Sequence, residues 1–108
     1  MTPYIESLIS EFENQANLEI AVGQKKYMKD KFEFYGISSP LRKTLQKPFL
    51  LKEQLPLKED LEELIKTLWQ KPQREVQYFA QELLNKYTRQ FEKEDYLLFE
   101  YMITNKSW

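Results

Sequence analysis

An all-α fold is what this 108-residue sequence predicts, and three observations carry that expectation. Apolar residues recur at i, i+3, i+4 and i+7 in nearly every segment. No segment alternates with the period of two that a half-buried strand requires. Prolines mark the corners, and no hairpin turn signal competes with them.

Ile5, Leu8, Ile9 and Phe12 define a first helix from about Pro3 to Glu13, and Asn14 and Asn17 punctuate the chain after it. A second helix carries Ile20, Gln24, Tyr27 and Met28 on one face. The chain then passes an aromatic elbow of Phe32, Phe34 and Tyr35 and turns at Gly36, one of two glycines. Ser38, Ser39 and Pro40 open a short helix to about Gln46, with a hydroxyl at the cap and proline in the first turn. Pro48 and Pro56 bracket a connector. The fourth helix has the cleanest stripe, Leu57, Leu61, Leu64, Ile65 and Leu68, opposite Lys58, Glu59, Glu62, Glu63 and Lys66. Trp69 closes it and Lys71-Pro72 forces a corner. A fifth helix bears Val76, Phe79, Ala80, Leu83 and Tyr87. A sixth starts near Lys93 and carries Leu97, Leu98, Tyr101 and Met102.

No single helix pair can bury such a stripe alone. Antiparallel pairs of roughly forty residues, each covering its neighbour, give an α-α superhelix of HEAT type, with a compact helical bundle as the alternative. The chain ends on a bare tryptophan without a capping helix. The expectation is therefore a single domain, residues 1–108, that is the N-terminal part of a longer one.

Composition narrows the chemistry. With no histidine and no cysteine, the sequence has no disulfide, thiol nucleophile, ordinary zinc site or Ser-His pair, and no metal or cofactor is expected. No run approaches a membrane span, the N-terminus has no signal-peptide character, and a cytoplasmic protein is expected. The net charge of −1 conceals an asymmetry. Residues 23–52 hold eight Lys/Arg (25, 26, 29, 31, 42, 43, 47, 52) against Asp30 and Glu33, or +6. The rest holds eight basic and fifteen acidic residues, or −7. One concentrated basic segment in an acidic protein suits a polyanion. At Ser38-Ser39-Pro40, outward N–H groups, two hydroxyls, Arg42 and Lys43 suit a phosphate. A capped, solvated helix start explains the same residues equally well.

Three stretches resemble the DNA alkylation repair family, the AlkD-like DNA glycosylases: Tyr27 to Lys43, Pro72 to Leu84, and Ile103 to Trp108. The resemblance implies a HEAT-like superhelix whose basic concave face holds duplex DNA, and release of purines alkylated at N3 or N7 without the usual base flipping. It places Tyr27 at a DNA-facing helix end, and Ser38, Ser39, Arg42 and Lys43 where the family grips the phosphate backbone. Trp108 matches the first of two paired tryptophans near the active site. The second tryptophan and the catalytic aspartate of the family pattern fall beyond Trp108, so no catalytic residue is assigned. The resemblance implies a glycosylase; a non-catalytic DNA-binding module and a protein–protein scaffold are the alternatives. Self-association through apolar faces of the last helices is a further expectation. Phe32, Phe34, Tyr35, Trp69 and Phe79 are expected in the core rather than against a ligand.

Overall fold

The computed structural model describes residues 3–30 and 32–104, apart from the side chains of Glu94, Phe99 and Ile103. Among them run six α-helices: α1 (Pro3–Asn14), α2 (Leu18–Tyr27), α3 (Ser39–Gln46), α4 (Leu61–Trp69), α5 (Arg74–Asn85) and α6 (Tyr96–Thr104). Short 3-10 turns fill the connector before α4 and flank the step from α5 to α6. The described residues contain no strand; an isolated parallel bridge joins Glu33 to Gln73. The all-α expectation therefore holds.

The core forms where the stripes of α1, α4 and α5 meet. Ile5, Leu8 and Phe12 from α1 join Leu61, Leu64, Ile65, Leu68 and Trp69 from α4, and Val76, Phe79, Ala80, Leu83 and Leu84 from α5. At roughly 25 cal/mol per Å² of apolar surface removed from water, this cluster is the main stabilising term. α4 and α5 pack as a hairpin across residues 70–73, and Leu98 and Met102 bring α6 onto the same core. The radius of gyration is 14.0 Å, against about 13 Å for a compact chain of this length, in keeping with elements laid side by side.

Three details differ from the sequence reading. Leu57 lies ahead of α4 and is 65% exposed, because a 3-10 turn at Lys58–Asp60 places the helix start at Leu61. Leu97 is 64% exposed, so α6 buries Leu98 and Met102 alone of its expected stripe, with Tyr101 half-buried. α2 buries no residue, and α1 packs against α3 instead. Ile20 and Tyr27, expected on a packed face, stand exposed. Periodicity identifies a helix, but whether a neighbour covers its stripe depends on the turn beyond it.

Candidate nucleic-acid interface

The turn between α2 and α3 is built from the backbone outward. Asn17 caps α2: its Oδ1 accepts from Ile20 N at 3.1 Å and its carbonyl accepts from Ala21 N at 2.9 Å. Its own N–H donates to Tyr35 O at 3.0 Å, which pins the returning chain against the helix start. Gly36 comes next, with φ +90. The Glu75 carboxylate, in the first turn of α5, accepts from Tyr35 N, Gly36 N and Ile37 N at 3.0, 3.1 and 3.2 Å. Gln24 Nε2 donates to Ile37 O at 3.1 Å, leaving its Oε1 buried without a partner. Thus α5 and α2 together hold the turn that starts α3. Ser38 is the α3 cap, its Oγ accepting from Leu41 N at 3.3 Å.

The structure separates the five residues expected to meet DNA. Tyr27, Ser38, Ser39 and Lys43 do not share one environment with Arg42. Tyr27 is 85% exposed, and Ser39 and Lys43 are exposed with it, while Ser38 is buried at the cap it forms. Arg42 is 7% exposed, and its guanidinium donates to Gln46 Oε1 at 2.9 Å and pairs with Glu82 Oε2 on α5. Gln46 Nε2 donates to the same Glu82 oxygen at 2.8 Å, and the Arg42 guanidinium also lies 5.1 Å from the Tyr78 ring centre. Arg42 ties α3 to α5, a correction to its place among the exposed cations. It points inward because helix period puts it on the face with Gln46, one turn on. Trp108 lies outside the described residues, as does Lys31.

Burial pushes the Glu82 carboxyl up, but hydrogen bonds from Gln46 and Arg42, with the charges of Arg42 and Lys43, overcome this and hold it below the ordinary glutamate value. A carboxyl depressed in the folded state stabilises fully above its unfolded pKa, about 4.3, and loses that contribution as pH falls through the folded value. Thermal unfolding measured from pH 7 to pH 3 should show this acid-linked loss, and Glu82→Gln should flatten it. Arg42→Met should lower stability at pH 7 by about 2–4 kcal/mol, because it strands Glu82 and Gln46. An unchanged Tm in Arg42→Met would return Arg42 to the surface set.

Sequence reasoning missed a second group, at the start of α5. Arg74 is 9% exposed; its guanidinium stacks 4.2 Å from the Phe32 ring centre and 5.0 Å from that of Tyr78, and donates to Gln77 Oε1 at 2.7 Å. Its Nε is buried without a partner. Gln77 in turn donates to Lys71 O at 3.2 Å. The available signal was the spacing Arg74, Tyr78, Glu82, one face of α5 at i, i+4, i+8. Of the expected core aromatics, Phe32, Trp69 and Phe79 are buried, and Tyr35 is half-buried against Phe12. Phe34 instead lines an open cleft with Ile20, Gln24, Tyr27, Met28, Ser39 and Tyr78.

Five cations of the basic segment remain exposed: Lys26, Lys29, Lys43, Lys47 and Lys52. Lys25 is paired with Glu33 at 2.9 Å, and that hydrogen bond and the carboxylate charge push its pKa up. The clefts along α4 carry the opposite sign, rimmed by Glu59, Glu62, Glu63 and Asp60. No group of three or more carboxylates among the described residues could hold a metal. No helix among them is long and apolar enough to cross a membrane.

An all-helical chain with exposed lysines around α2 and α3 and an acidic opposite side defines a class of protein built to meet a polyanion. Residues 8–108 match the family of DNA alkylation repair enzymes, and the chain belongs to that family. It is also similar to a solved structure from Enterococcus faecalis described as a predicted DNA alkylation repair enzyme: 35% identity, TM-score 0.78, and 87% of this chain covered. The match spans 44% of that protein, so this chain corresponds to less than half its length. No curated protein matches the sequence.

Proposed function

We propose that this chain is the DNA-holding N-terminal part of a glycosylase that hydrolyses the N-glycosidic bond of N3- or N7-alkylated purines in duplex DNA, within a HEAT-like superhelix of a cytoplasmic protein. The observation that carries the reading is the exposed cationic face of α2 and α3 in a chain of the DNA alkylation repair enzyme family. An alkylated purine already carries positive charge, so its glycosidic bond is weak. What the reaction then needs is a carboxylate beside the developing oxocarbenium and the attacking water. None of the seventeen carboxylates in the sequence occupies the position that the resemblance gives the catalytic aspartate. This chain's share of the work is to hold the backbone, through Tyr27, Ser39 and Lys43 with Lys26 and Lys29, while Ser38 caps the helix that presents them.

Binding to undamaged duplex DNA should therefore be weak, indifferent to sequence and steeply dependent on salt. With about three or four phosphates neutralised, log K should fall against log salt with a slope of about −3. Replacing Lys26, Lys29 and Lys43 together with alanine should flatten the slope by about two. An unchanged slope in the triple variant would refute this face as the DNA contact. For the chemistry, single-turnover release of 7-methylguanine should stay at background with the 108-residue chain and appear when the catalytic aspartate of the family pattern is present. Activity of the short chain equal to that of a longer one would refute the assignment of catalysis outside it. Inactivity of both would make the protein a binding module.

A further inference from the structure

The cleft between α2, α3 and α5 has a chemistry that holding a duplex backbone does not use. Its space of about 450 Å³ lies within the roughly 300–1,000 Å³ of small-ligand clefts. Ile20, Met28 and Phe34 give it an apolar lining. Tyr27 stands at its rim, 85% exposed, and offers a ring that no other aromatic contacts among the described residues. The hydroxyls of Ser39 and Tyr78 belong to the same lining, and neither makes a hydrogen bond within the described residues. A hydroxyl both donates and accepts, so this pair can answer either kind of edge.

The walls are fixed in place. Arg42 and Arg74 both stack on Tyr78, with Arg42 anchored to Glu82 and Arg74 to Gln77, so the Tyr78 ring is held against swinging in to close the space. Gln24 is tied to Ile37 O on the opposite wall. Exposed Lys26 and Lys29 flank the Tyr27 side, and exposed Lys43 lies one turn along α3 from Ser39.

We infer that this cleft receives one unpaired, unstacked nucleobase of a DNA strand whose backbone lies on those lysines. A flat ring to stack on, an apolar lining and two adaptable hydroxyls inside a cationic rim are what a base needs once it has left the helix. A base within a paired duplex cannot enter, because its faces are already stacked. The cleft therefore discriminates unpaired from paired nucleotides, without preference among the four bases. This inference rests on the proposed DNA-binding face and adds a ligand to it.

The test compares binding of the 108-residue chain to a fully paired duplex and to the same duplex with one unpaired 2-aminopurine bulge, at one salt concentration. Stacking of one base is worth about 1–3 kcal/mol, so the bulged duplex should bind about tenfold tighter. Met28→Trp, which fills the cleft without touching a lysine, should abolish that preference and leave paired-duplex affinity within about twofold. The emission of the unpaired 2-aminopurine should fall several-fold on binding to the unaltered chain, since the base passes from water onto an aromatic ring. Tight but equal binding of both duplexes would leave the basic face standing and overturn the cleft alone. A preference that survives Met28→Trp, or emission that is unchanged on binding, would overturn it as well. Binding of neither duplex would remove both the face and the cleft.

Discussion

Gly36→Ala should unfold the region around α2 and cost about 4 kcal/mol, the sum expected for a left-handed non-glycine residue and an overpacked contact. A β-carbon at this position would lie 1.9 Å from Asn17 O and 2.8 Å from both Asn17 C and Ala21 N. These are backbone atoms of the α2 cap, so no rotamer change relieves the clash. The φ of +90 adds strain for any L side chain. Gly23 is the internal control, because a β-carbon there meets nothing within 4 Å. In an exposed helix interior, Gly23→Ala should raise stability by about 1 kcal/mol. Urea unfolding of both variants checks the pair. Similar midpoints for the two would show that the approach of Gly36 to Asn17 does not constrain the fold.

Glu75→Ala should have a comparable effect by a different route. Glu75 is 2% exposed, and its carboxylate accepts three backbone N–H groups in a row. Those donors stand in for the water that a buried charge gives up. Removing the acceptor strands up to three donors at about 1–3 kcal/mol each, less whatever water recovers, for a net of about 3–5 kcal/mol. Glu75→Gln should recover only part of this, since one oxygen becomes an NH₂ that faces other donors. Amide hydrogen exchange gives the local readout: Gly36 and Ile37 should lose protection in Glu75→Ala before residues of α4 do. Protection retained at those two amides would show that the α2 cap alone suffices to hold the turn.

The two changes act on one joint. Gly36 lets the chain approach α2 and Glu75 ties that approach to α5, so loosening either should displace Ser39 from Tyr27. DNA affinity is then expected to fall in Glu75→Ala although no cation is touched. The contact surface depends on a buried carboxylate as much as on its exposed lysines.

Much of this was legible in the sequence. The stripes of α1, α4 and α5 are strict enough that Ile5, Leu8, Phe12, Leu64, Ile65, Leu68, Val76, Phe79 and Leu83 could be placed inside by period alone. A helix cap at Ser38-Ser39 could be placed too, because serine just before proline satisfies the start of a helix locally. The charge asymmetry of residues 23–52 likewise needs only counting. What the tertiary structure decided was the fate of polar residues in contact with distant ones. Arg42 and Lys43 are adjacent and alike in charge, yet one is 7% exposed and the other solvated. The difference is Glu82, forty residues along the chain, which can compensate a buried guanidinium only where α5 passes α3. Glu75 looked like an ordinary acidic residue of a first helical turn. The turn it holds is some forty residues earlier, and no local pattern links them. Sequence period determines which apolar faces a helix has. Which neighbour covers each face, and which charges find partners beneath it, is settled only when the helices pack.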